Sequence, residues 1–138
     1  MNGDIIYAYT RKQAVADGEQ IEVTTYGEEL PTIPSYCKQA GLRIPVFITR
    51  SVWDAYVKVP DGVEGQDLTG RLWDVLYMTA TAIRCHVRKG LDGPAEVLLN
   101  VRNSSSRAAE MVTLWCDCGP VDIDDPRPCL TIMTREDM

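Results

Sequence analysis

The sequence predicts an α+β fold: a long central helix packed on an antiparallel sheet, with two or three short peripheral helices. Three observations carry this expectation. Between Asp67 and Lys89, residues Leu68, Leu72, Val75, Leu76, Thr79, Ile83 and His86 recur at steps of three and four, which is one face of an α-helix. Trp73, Tyr77, Ala80 and Ala82 carry apolar character further around the cylinder, so the helix is expected to be packed on more than one side. Beyond Pro94 the texture turns from helical to β, and the C-terminal third reads as an antiparallel meander on which that helix rests.

In chain order, Ile5 to Tyr9 is a short β-rich run. Thr10 and Gln13 form a capping box for a helix through Asp17, and Gly18 stands where a left-handed residue is wanted. Gln20 to Thr24 alternates Ile21 and Val23 with polar residues, as a half-buried strand does. Thr25 to Pro34, broken by Gly27, Pro31 and Pro34, is a surface loop. Ser35 caps a short helix through Ala40, closed by Gly41. Ile44 to Ile48 is a strand, and because Pro45 cannot donate to a ladder, the strand starts there or lies at an edge. Thr49 caps a helix from Arg50 to Val57, which Pro60 ends. Asp61 to Gln66 is a loop, and Asp67 is the N-cap of the central helix. Gly90 to Pro94 is a turn. Strands follow at Glu96–Arg102, where Val97, Leu99 and Val101 alternate with Glu96, Leu98 and Asn100, then at Glu110–Asp117 and Cys129–Thr134. Asn103–Ser106 and the Pro- and Asp-rich Gly119–Arg127 are read as loops.

The 138 residues suit a single globular domain spanning 1–138, long enough to fold without a disulfide or a metal. Apolar residues make up 45% and charged residues 25%, ordinary for a soluble protein. The 20 acids against 14 bases give a net charge of −6, which argues against general affinity for nucleic acid or an anionic membrane. No apolar run approaches the roughly 18 residues of a membrane span. Five cysteines, an odd count, behind a start with no secretory signal point to reduced thiols and a cytoplasmic location.

Chemistry-bearing candidates are few. Cys116, Cys118 and Cys129 with His86 offer thiolate and imidazole for zinc. The spacing is Cys-x-Cys, with the third thiol eleven residues later, rather than paired Cys-x-x-Cys knuckles, so the cysteines read better as small apolar residues of a sheet. No other cofactor is expected. Asp122, Asp124 and Asp125, near Asp117, lack the Gly and Glu of a calcium loop and read as an exposed acidic turn. His86 is the only histidine; it sits on the apolar stripe, and on a helix Cys85 points roughly 100° away from it, poor placement for a catalytic dyad. A Thr-Arg pair follows an apolar run three times, at Thr10-Arg11, Thr49-Arg50 and Thr134-Arg135. Such junctions offer backbone amides and a guanidinium to an anion, so Thr10, Arg11, Thr49, Arg50 and Arg135 are candidate anion ligands, against the plainer reading of Thr as an N-cap. Trp53 and Tyr56, on a short helix, are candidate partner-binding aromatics; Trp73 and Tyr77 read as core. An exposed edge beside Pro45 would permit a homodimer.

Several stretches are familiar together: Ala40-Gly41, Ile44-Pro45-Val46, Thr49-Arg50-Ser51-Val52-Trp53, Thr69-Gly70-Arg71-Leu72-Trp73-Asp74-Val75-Leu76 and Leu130-Thr131-Ile132-Met133. Over most of its length the chain resembles a family of small bacterial proteins carried on plasmids and other mobile elements, a domain of unknown function. The resemblance implies an intracellular accessory role linked to mobile DNA and supplies no site residues. The expectation is therefore a non-catalytic accessory protein that binds an unidentified host or element-encoded protein. Two alternatives stand beside it: an enzyme or metal-dependent nucleic-acid-processing factor using His86 and the cysteines, and a small-molecule or phosphate binder at the Thr-Arg junctions.

Overall fold

Helix caps set the boundaries of the first elements in the computed structural model, which describes residues 9–29, 31–105 and 107–138. Thr10 accepts from the Gln13 amide and Gln13 returns the bond, so α1 (Arg11–Ala16) begins in a complete capping box. The strand expected at Ile5–Tyr9 lies outside the described residues, apart from Tyr9 itself. Strand β1 is Gln20–Glu22. Helix α2 (Tyr36–Ala40) starts at Ser35 and ends at Gly41, whose φ of 95° is left-handed. Strand β2 (Val46–Thr49) hands over directly to α3 (Arg50–Val52), capped by Thr49. The helix expected to continue to Val57 does so, but as a wider π-helical turn over Trp53–Val57.

Helix α4 runs from Leu68 to Arg88, with Asp67 accepting from the Gly70 amide at 2.6 Å. Its buried residues are Arg71, Leu72, Val75, Leu76, Thr79 and Ala80. The apolar stripe read from the sequence therefore stops short: Ile83 and His86 are only half-buried. Strands β3 (Ala95–Val101), β4 (Glu110–Asp122) and β5 (Asp125–Met133) follow, and a 3-10 turn (Arg135–Asp137) closes the chain. The stretch expected as a loop at Gly119–Arg127 is instead the end of a hairpin. β4 and β5 stay paired through Pro120 opposite Pro128 and Asp122 opposite Asp125, with a register irregularity between Pro120 and Asp122. Prolines that would break a central ladder are tolerated at such a bulged hairpin end.

The five strands form one sheet in the order β1-β2-β5-β4-β3. All neighbours are antiparallel except β2 and β5, which run parallel with Val46 opposite Leu130 and Ile48 opposite Ile132. The sheet is thus mixed rather than wholly antiparallel. β2 is an interior strand that starts just after Pro45, so the edge expected beside Pro45 is occupied by β1 and β5.

One face of the sheet carries Ile48, Ile132, Leu114, Val97 and Leu99, all buried against Leu72, Val75 and Leu76 of α4, with Cys37 of α2, Val52 of α3 and Val57 of the π turn. The opposite face is covered in part by α1, from which Arg11 stacks over the Phe47 ring at 4.3 Å. No described helix is long and apolar enough to cross a membrane. Leu76 is fully buried at the middle of this core. Leu76→Ala is expected to lower unfolding stability by about 3 kcal/mol, through lost transfer energy and the cavity left behind, as measured by urea denaturation.

Candidate functional site

The motif Thr69-Gly70-Arg71-Leu72-Trp73-Asp74 acquires a physical meaning at Arg71. Its side chain is driven inward from the first turns of α4, and the residue is only 6% exposed. The guanidinium donates to the carbonyls of Tyr56 (3.1 Å), Ala55 (3.3 Å) and Arg102 (3.1 Å), and to the side-chain oxygens of Gln66 (2.8 Å) and Asn103 (2.7 Å). Five bonds match the five N–H donors that an arginine owns, so none is left for a ligand. Burial pulls the Arg71 pKa down, and the charge of Asp74 opposes that pull. Asp74 responds in mirror image: burial raises its carboxyl and Arg71 lowers it. This group was not singled out as a site by sequence reasoning, because three of its acceptors are backbone carbonyls far away in the chain. It joins the π turn, the α4 entry and the end of β3 at one point.

The Thr-Arg junctions are built as expected at the backbone, and the protein's own carboxylates stand at both helix starts. At α1, Asp122 accepts from the amides of Arg11 (3.2 Å) and Lys12 (3.0 Å). The amides of Ile123 and Lys12 hold the Asp122 carboxyl below the usual carboxylate range. The acidic turn is therefore a cap supplied from a distant hairpin. At α3, Asp137 accepts from the hydroxyls of Thr49 (2.7 Å) and Ser51 (3.0 Å). Burial pushes the Asp137 carboxyl up, but bonds from Thr134, Thr49 and Ser51 outweigh it, and its pKa lies below the ordinary value. Arg11 donates to the Val121 carbonyl, Gln20 and Thr131. Arg50 pairs with Asp54 at 3.1 Å and reaches the Gly18 carbonyl. Arg135 is exposed on the closing 3-10 turn.

The proposed metal ligands are distributed over two faces and a helix end. Cys116 and Cys118 lie opposite Ile132 and Leu130 and so share the α4 side of the sheet, as their spacing implies. Cys129, one step from Leu130, belongs to the other side. His86 closes the α4 terminus by donating from Nε2 to the Gly93 carbonyl at 2.9 Å. Among the described residues, no three such side chains gather as a cation site. Burial pushes the Cys37 and Cys116 thiols up to about 12. Burial also raises the Cys129 thiol. Cys85 and Cys118 are exposed.

What the structure does assemble is a band of rings on the helical layer. Trp53 meets Tyr26 edge-on at 6.4 Å, Tyr26 meets Tyr36 at 6.1 Å, Tyr36 meets Trp73 at 6.4 Å, and Trp73 meets Tyr77 at 5.9 Å. Three of the six tyrosines and two of the three tryptophans take part. Gly27 makes the closure possible: its φ is +80°, and a Cβ there would stand 2.7 Å from the Tyr36 ring. Trp53, expected as a partner contact, belongs to the band, whereas Tyr56 lies apart from it among Val101, Asn103 and Val112. Tyr77, expected in the core, is 48% exposed, and Tyr26 is 38% exposed. The i,i+4 spacing of Trp73 and Tyr77 announced a pair; it was the side of the helix that the spacing alone left open.

Arg71→Lys keeps the charge but replaces a five-donor fork with three mobile donors, leaving buried carbonyls unpaired; it is expected to cost about 2–4 kcal/mol in urea denaturation. An exposed-thiol reagent at about pH 8 is expected to modify Cys85 and Cys118 in the native protein, with Cys37, Cys116 and Cys129 reacting only after denaturation, read by mass spectrometry of the labelled peptides. Compared with protein-family profiles, with curated proteins and with solved structures, the chain finds no match.

Proposed function

We propose that this chain is a non-catalytic interaction protein, an accessory factor of a plasmid or other mobile element, that binds a host or element-encoded protein through the band Trp53–Tyr26–Tyr36–Trp73–Tyr77. The band is the observation that carries the reading. Large rings packed on one another offer much contact area at little entropic cost, and Tyr and Trp dominate the energetic centres of protein interfaces. The two exposed rings, Tyr26 and Tyr77, flank half-buried ones, which gives a surface with rigid support beneath it. The link to mobile DNA is supported by the likeness of the Thr69–Leu76 motif and its companions to that family. A cytoplasmic site of action is supported by the five unpaired thiols.

Tyr77→Ala removes one exposed ring without opening the core. Tagged wild-type and variant protein are to be recovered from the native host under the same conditions. One protein should be enriched by the wild type and depleted with the variant, its measured affinity falling by about 10-fold or more, while the variant stays folded with its thermal midpoint lowered by only about 2–5 °C through the lost Trp73 contact. Recovery of an identical set of proteins with equal affinity would remove the band from the interface.

A further inference from the structure

Among the described residues the sheet has two edges, and they differ. β1 is only three residues long. β3 is seven residues long and pairs with β4 at seven successive positions without a bulge. It carries no proline or lysine, with which proteins ordinarily blunt an open edge, and Glu96 is its one charge. Among the described residues, no hydrogen bond from another element reaches its backbone outside the ladder with β4. The flanks are apolar as well: Leu98 is 47% exposed, Leu91 54% and Met111 64%.

We propose that β3 is a self-association edge, at which two copies of this chain pair their β3 strands antiparallel about a two-fold axis at Leu98 and so continue the sheet. This surface is independent of the aromatic band. The commitment to a second copy comes from the strand's own order, Ala-Glu-Val-Leu-Leu-Asn-Val. Folded on itself about Leu98, it sets Leu98 against the second copy's Leu98, Val97 against Leu99, Ala95 against Val101 and Glu96 against Asn100. Every apolar residue meets an apolar one, every polar residue meets a polar one, and no like charges are opposed. Moving the axis to Val97 or Leu99 sets Glu96 or Asn100 against Leu98, so the pattern selects one register.

The helix beside the edge fits the same axis. Two open clefts, of about 380 Å³ and 360 Å³, follow β3 along α4. The first is lined by Met78, Ala82, Leu91 and Leu98, with Lys89 and Glu96 both on its wall; the second carries Asp67 and Asp74 together with Arg71 and Arg102. The two-fold reverses one copy relative to the other. With the axis at Leu98, the Leu98 end of the first cleft in one copy faces the same end in the other.

Sedimentation equilibrium of the whole chain tests the proposal, with position 100 as the register probe. The wild type is expected to approach twice its 15.4 kDa mass as concentration rises. Asn100→Glu opposes two carboxylates twice across the axis and should weaken the dimer by about 3-fold or more, whereas Asn100→Lys creates two Glu–Lys pairs and should tighten it by a similar factor. Position 100 is exposed, so both variants should keep the wild-type thermal midpoint at a concentration where all are monomeric. A wild type that stays monomeric up to about 1 mM overturns the proposal. So does a dimer whose affinity ignores the charge at position 100, because that contact lies elsewhere on the molecule.

Discussion

A buried guanidinium fixes more of this molecule than any single apolar contact. Arg71 has left water with its charge, and a cation in the interior is tolerated only where its donors are met. Its acceptors come from the π turn, the loop before α4 and the two residues that follow β3. None of those segments can shift alone without stranding a donor or a carbonyl. The carbonyls of Ala55 and Tyr56 lie in the last turn before Lys58, where no intrahelical donor follows, and Arg71 takes them up.

The same economy of internal partners recurs at the helix starts. Unpaired amides and the positive end of a helix attract a carboxylate, and here Asp122 and Asp137 provide it from hairpin and C-terminal turn. These contacts cross more than eighty residues of sequence and pin α1 and α3 to the strands that follow much later. Asp122 and Asp137 therefore act as long-range ties, while among the described residues the aromatic band and the β3 edge face outward.

How much of this was legible in the sequence follows from the range of the forces involved. Caps are local, so Thr10 with Gln13, Ser35 with Gly41, and Asp67 marked their helices to the residue. The alternation in β3 was equally plain, since a strand with one wet face writes its period into the sequence. β2 and β5 carried a signal of another kind. Val46 to Thr49 and Cys129 to Ile132 are buried on both sides, and their nearly unbroken apolar runs are the mark of interior strands, yet Pro45 drew attention to an edge. Pro120 and Pro128 misled in the same way, because a hairpin end accepts residues that its middle rejects. The Arg71 site was not legible at all: a guanidinium served by carbonyls looks the same in sequence as one in solvent. The side of α4 on which Tyr77 faces out depended on where α2 docks, a tertiary fact.

The strand order has a consequence for how the chain comes together. β5 is made after the other four strands, yet it lies between β2 and β4 and is the only strand that joins the β1–β2 ribbon to the β3–β4 hairpin. Until it is in place the two ribbons are linked through α4 and Arg71 but not by backbone pairing, and each keeps an open side. Assembly must then wait on contacts between residues in the forties and the one-thirties, a topology that slows folding relative to a helical protein of equal length. During biosynthesis the half-built sheet offers naked backbone to its surroundings, which makes the interval before β5 emerges the window in which a chaperone would matter most.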